Sequence, residues 1–150
     1  MKTTTWLSEM TVGDPVIDAA HRALFDQMLW VFRCRDSELG DGFLSLTDKL
    51  ECDFREEEKL MEGLDFPDLH SHREEHAKVL GALHHVDPAD AGAAREVLRL
   101  MLQWFPAHVA TMDSALVVAL RRAAVPAAAA SPLHGPDAAQ GDAAAPPYCH

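Results

Sequence analysis

Four stretches of this chain repeat large apolar side chains at helical spacing, and only short breaks separate them. The first runs from about Asp18 to Asp36, with Ala20, Leu24, Met28, Val31 and Phe32 on one stripe. Gly40 and Gly42 are expected to break it. The second runs from about Gly42 to Glu62 through Phe43, Leu46, Leu50, Phe54, Leu60 and Met61, and Gly63 suits its end. Asp65 and Pro67 open the third, which continues to about His85, and Asp87-Pro88 makes the next turn. The fourth runs from about Ala91 to Ala123. Short connections favour antiparallel neighbours, so the expected fold is all-α, an up-down-up-down four-helix bundle over residues 1–123. Residues 1–17 are expected to form an extended N-terminal arm. Residues 124–150, rich in Ala and Pro, have too few large apolar groups to fold and are expected to form a disordered tail.

Charge and composition narrow the function classes. A formal net charge of -11 argues against a nucleic-acid partner, because no basic surface is available to neutralise phosphates. The opening MKTTTWLSEM has neither an apolar stretch nor a small-residue cleavage site, so no secretory leader is expected. No apolar run approaches the roughly 18 residues needed to span a membrane. Cys34, Cys52 and Cys149 form no CxxC pair, and free thiols in a cytoplasmic protein are the simplest expectation.

Nine histidines are many for 150 residues, and several fall on the apolar stripes. His72 and His76, four apart, leave one face of the third helix and can share a metal ion. Alone, such a pair is more often a solvated face. Asp53 and Glu57 repeat that spacing on the second helix, where the neighbouring Glu56 and Glu58 suggest simple solvation. His21 sits in the stripe with Leu24 and Met28, where a lone histidine is usually a satisfied core residue. His108 and Asp113 interrupt the apolar stretch LMLQWFPAHVATMDSALVVAL, where burial without partners is costly. Taken together, the four helices offer four imidazoles and three carboxylates to one bundle interior. Di-metal carboxylate sites are built in that way, and mixed imidazole and carboxylate donors suit iron.

The same residues carry a resemblance. VGDPVIDAAH ending at His21, DFREEEKLM, HSHREEH ending at His76, and WFPAHVATMD resemble, in order and spacing, the segments of the bacterial hemerythrins. The likeness extends from about residue 6 to 120. It implies a protein that holds two non-haem iron ions under an oxo or hydroxo bridge and binds dioxygen for transport, storage or sensing. It implies that His72, His76 and His108 bind one iron, that His21 binds the other, and that Glu57 and Asp113 bridge them. Leu24, Phe54, Trp104, Val109 and Leu116 match positions lining an apolar dioxygen pocket.

One ligand departs from the family, which has histidine where this chain has Asp53. Asp53 stands where it can still ligate the second iron, but it adds a negative charge. Anionic oxygen donors favour ferric iron, so faster autoxidation is expected. The change also moves the donor set toward di-iron oxidases and peroxidases, the alternative function class. HREEH further fits an inverted zinc-hydrolase motif with Glu75 as base, although the other three helices then go unexplained. A signalling module whose iron reports oxygen is a further alternative. Glu75, Asp18 and Gln103 are candidate partners for the outer ring nitrogens of the histidines. Pro106, two residues before His108, is expected to kink the fourth helix. His108 and Asp113 are five apart, about 140° round an ideal helix, so a local distortion there would bring them to one face.

Overall fold

The computed structural model describes residue 6 and residues 8–129, with side chains described as far as 125. A single 3-10 turn, Ser8–Met10, precedes helices α1 (Pro15–Arg33), α2 (Asp36–Gly63), α3 (Leu69–His85) and α4 (Ala91–His108). Helix α4 continues through a π-helical turn, Val109–Asp113, into α5 (Ser114–Ala129). Helix α1 packs against α2 and α4, and α3 packs against the same two, so the helices close a four-membered ring. This is the expected four-helix bundle, and no strand occurs among the described residues.

Local chemistry sets the helix starts. Asp14 caps α1 by accepting the amides of Val16 and Ile17, both at 3.0 Å, and Pro15 fills the first position, where its missing donor costs nothing. The helix therefore begins before Asp18, the expected start. The Asp18 carboxylate accepts instead from Val12 and Gly13 (2.8 and 3.0 Å), fastening the arm to the bundle. The arm also docks through Met10, which is buried, and through Trp6, edge-on to Phe25 at 5.9 Å.

The break between the first two helices is not at Gly40 and Gly42, which both lie inside α2. It falls at Cys34 and Arg35, which are extended, and the Glu38 carboxylate then accepts the Arg35 amide at 3.3 Å. Gly42 serves packing: a Cβ there would lie 3.0 Å from the Trp30 ring and 3.3 Å from Val31, so its absence lets α1 and α2 approach. Arg95 of α4 clips the same link by donating to the Phe32 and Cys34 carbonyls at 2.5 and 2.8 Å. Helix α5 is described beyond the expected end at Ala123, through Pro126 to Ala129. The remainder of the expected tail, 130–150, lies outside the described residues, as do 1–5 and 7 of the arm. Cys34 is a free thiol, as expected. Cys52 is disulfide-bonded rather than free.

The core is in two parts. The larger contains Leu24, Phe25, Met28, Phe43, Leu50, Phe54, Leu83, Leu98, Phe105 and Val109. The smaller contains Met61, Phe66 and Leu116, with Leu64 and Leu69 against it. On α2, and again from α4 through the π turn into α5, the chain passes from the larger cluster through buried polar residues to the smaller one, and on α3 it passes the opposite way. A polar layer thus separates two apolar layers within one bundle.

Candidate metal centre

Eight polar or charged side chains are buried among the described residues. Thr47 satisfies itself on the Phe43 carbonyl at 2.9 Å. The other seven are His21, Asp53, Glu57, His72, His76, His108 and Asp113, the seven groups singled out from the sequence. Charged groups this deep are retained only when paired or when they surround a cation.

Their positions follow from the helices. His72 and His76 leave one face of α3 a turn apart and meet His108 from α4. The His72 and His76 Nε2 atoms lie 3.0 and 3.3 Å from His108 Nε2. Glu57 Oε2 is 3.3 Å from His76 Nε2, and Asp113 Oδ1 is 3.1 and 3.2 Å from His72 and His108. The second oxygen of each carboxylate faces the other way. Glu57 Oε1 is 3.3 Å, and Asp113 Oδ2 3.0 Å, from Nε2 of His21 on α1. Both acids thus span two donor groups, one with three imidazoles and one with a single imidazole.

The π turn makes this possible. The Ser114 amide bonds to the Val109 carbonyl, five residues back, instead of four. Over such a turn, positions five apart come to one side, so His108 and Asp113 share a face that a regular helix would deny them. The distortion anticipated near Pro106 therefore takes the form of a widened turn just beyond it.

The donor set fits metal ions. Ligands about 2.1 Å from an ion and at right angles are about 3.0 Å apart, close to the spacings among these nitrogens and oxygens. Glu57 Oε2 and Asp113 Oδ1 face imidazole nitrogens at 3.1–3.3 Å without hydrogen-bond geometry, as expected of groups directed at a shared cation.

Protons hold the layer together otherwise. Burial pulls the His21 pKa down, but the Asp113 and Glu57 carboxylates outweigh it and hold the imidazole at about 10. Burial likewise opposes the charged form of His76, yet Glu57 and Glu58 raise its pKa. Asp113 would be pushed up by burial, but the facing imidazoles of His108, His21 and His72 keep its carboxyl well below the usual range. Glu57 is also lowered: His21 and His76 overcome burial and the neighbouring Asp113.

Asp53 differs from the rest. It is only 4% exposed, neither oxygen has a partner, and it belongs to neither converging group. Burial raises its pKa to about 6, with Lys49 opposing and Glu57 adding to the rise. It lies one turn before Glu57 on α2 and feels the charges of both Glu57 and His21.

Of the five expected pocket residues, Leu24, Phe54 and Val109 belong to the larger core, with Trp104 packed against it, and Leu116 belongs to the smaller one. Phe54 stacks on His76 (3.8 Å, 2°) and Trp104 on His108 (4.4 Å, 26°), so these two wall the three-imidazole group. None of the three outer-nitrogen candidates bonds to a histidine. Asp18 holds the arm, Glu75 accepts from Lys78 (3.1 Å) and Trp104 (3.4 Å), and Gln103 is exposed. The partner that exists is Glu58, whose Oε1 lies 3.2 Å from His76 Nδ1. Sequence reasoning passed over it as part of a solvated acidic run. No local signal marks it, because its partners lie on another helix: Arg73 Nε donates to Glu58 at 3.0 Å.

Comparison with known proteins agrees with this geometry. Bacteriohemerythrin of Ralstonia nicotianae is 30% identical over 112 residues, covering 72% of this chain and 82% of that protein. No solved structure matches the chain. Residues 12–120, which include all seven buried polar groups of the layer, match the model of the hemerythrin HHE cation binding domain. With that span matched and the donors converged on two adjoining groups, the chain belongs to the hemerythrin HHE cation-binding family.

Proposed function

We propose that this protein holds two non-haem iron ions and binds dioxygen. The observation that carries the proposal is the division of each bridging acid: Glu57 and Asp113 both direct one oxygen to His21 and the other to the three-imidazole group. On this reading His72, His76 and His108 would hold one iron, His21 and Asp53 the other, and Glu57 and Asp113 would serve both, with an oxo or hydroxo group completing the centre. Such a reduced pair supplies the electrons that reversible dioxygen binding requires. The chain's part is to keep the donors fixed and the layer dry between its two apolar clusters. The cytoplasmic setting expected from the sequence belongs to the same proposal, with dioxygen as the small-molecule partner.

Asp53 sets the character of the second position. As an ionised ligand it cancels one positive charge that a neutral imidazole would leave. Oxidised iron gains most from that charge, so the air-exposed protein autoxidises faster than one with histidine there. The unpartnered Asp53 carboxylate also favours a second reading, a di-iron oxidase or peroxidase.

Iron content and the visible spectrum of the anaerobically reduced protein, before and after air, test both. Two irons per chain with an air-induced band that reverses on removing oxygen support a carrier. Two irons passing rapidly and irreversibly to an oxidised spectrum, with steady turnover of peroxide or an organic reductant, support the enzyme. Zinc in place of iron sinks both.

A further inference from the structure

Four buried histidines face the layer through Nε2, and their outer Nδ1 atoms are not alike. Those of His21, His72 and His108 are buried without a partner among the described residues. His76 Nδ1 alone meets a carboxylate, Glu58 Oε1 at 3.2 Å. Glu58 is held in turn: its Oε2 accepts from Arg73 Nε at 3.0 Å, and Arg73 Nη2 reaches Glu62 at 2.5 Å. A line of alternating charge therefore runs from a histidine that is 1% exposed to the surface between α2 and α3.

We propose that Glu58 is a positioning residue for the metal centre, fixing His76 with its proton on Nδ1 and its Nε2 lone pair on the layer, and that Arg73 sets how much of the Glu58 charge reaches the imidazole. This rests on the metal reading above. A free imidazole distributes its proton between both nitrogens, and only the form protonated at Nδ1 offers Nε2 to an ion. A carboxylate accepting the Nδ1 proton selects that form and makes Nε2 more basic. Phe54, stacked at 3.8 Å, fixes the plane of the ring but cannot choose between its nitrogens. The ring lies between two carboxylates, Glu57 Oε2 at 3.3 Å from Nε2 and Glu58 Oε1 at 3.2 Å from Nδ1, and with Glu57 directed at the ion it is Glu58 that holds the proton on Nδ1. Arg73 draws on the same carboxylate from its other oxygen and weakens the push on His76.

The two residues thus act on the metal with opposite signs. Glu58→Ala lowers ferrous affinity about 10–100-fold, and Glu58→Gln, which keeps an acceptor oxygen without its charge, recovers part of the loss. In iron-loaded protein, Glu58→Gln raises the midpoint potential and Arg73→Met lowers it. A mere tie between α2 and α3 would make both variants less stable without opposing shifts. Unchanged affinity in Glu58→Ala, or potential shifts of the same sign, would overturn the proposal. Nitrogen-15 NMR of the metal-free protein, at a pH where His76 is neutral, separates this from the metal reading. The proton should stay on Nδ1 in the natural sequence and move largely to Nε2 in Glu58→Ala. A natural-sequence His76 protonated at Nε2 defeats the proposal whatever metal binds. If no iron binds while Nδ1 keeps its proton, the metal reading fails instead.

Discussion

The two sides of the polar layer are built with different care. On one side three imidazoles from α3 and α4 converge within 3.0 and 3.3 Å, two stacked on aromatic rings and one hydrogen-bonded to Glu58. On the other side His21 stands alone with the far oxygens of Glu57 and Asp113, edge-on to Phe105 at 5.7 Å, while Asp53 is buried nearby with neither oxygen satisfied. One side is preorganised by its neighbours, whereas the other needs an ion to complete it. Preorganised donors lose less freedom on binding, so the three-imidazole side should fill first and bind more tightly.

The largest effect should come from the residue common to both sides. Asp113 touches His21, His72 and His108 within 3.2 Å. Asp113→Ala should bring metal content, measured by elemental analysis after ferrous loading, from about two per chain to below one. Asp113→Asn, which keeps the volume and one acceptor, separates lost ligation from lost folding. His21→Ala should instead remove one ion and leave the other. If His21→Ala empties the centre entirely, the two sides do not bind independently.

How much of this was legible in the sequence divides along similar lines. The four helices and all seven buried polar groups could be read because each leaves a local trace: apolar period, spacing of four, or a charge inside an apolar stretch. The π turn left only an anomaly, a spacing of five between His108 and Asp113. The helix break was misplaced at Gly40 and Gly42 because a glycine that ends a helix and one that admits a neighbouring helix look the same in one dimension, and only the approach of Trp30 and Val31 distinguishes them. Glu58 was missed for a similar reason, since pairing across α2 and α3 has no fixed spacing. The separation of Leu116 from the other expected pocket residues was also invisible, because the boundary between two apolar clusters depends on where the polar layer crosses.

A smaller and more selective effect should follow from Asp53→His. An imidazole at this place restores a neutral donor to the weaker side and removes the charge that favours oxidised iron. Autoxidation in air, followed by absorbance after anaerobic reduction, should slow by about tenfold, equivalent to ~1.4 kcal/mol in the barrier. Occupancy of the three-imidazole side should not change. An unaltered rate would mean that Asp53 does not reach the iron, and that the asymmetry lies in His21 alone.

The smallest effect isolates Asp53 from any metal. In the metal-free protein its pKa is about 6, raised chiefly by burial, against 3.8 for the ordinary carboxyl. Below pH 4 the group is protonated in both the folded and the unfolded chain, and its burial in neutral form is at its most favourable. Between about pH 4 and 6 the unfolded chain ionises while the folded one does not, so folding loses stability as pH rises, and above pH 6 the loss is complete. Asp53→Asn has no such proton to exchange. Urea denaturation of both metal-free forms should give a stability difference in favour of Asn that grows across this window, to about 3 kcal/mol, and then stays level. His21, held at about 10, and the lowered Asp113 and Glu57 are common to both forms and largely cancel from the difference. A difference that shrinks with rising pH would show that Asp53 gains a partner when ionised. In that event the weaker side would already be organised before any ion arrives, and the preference for filling the three-imidazole side first would lose its physical basis.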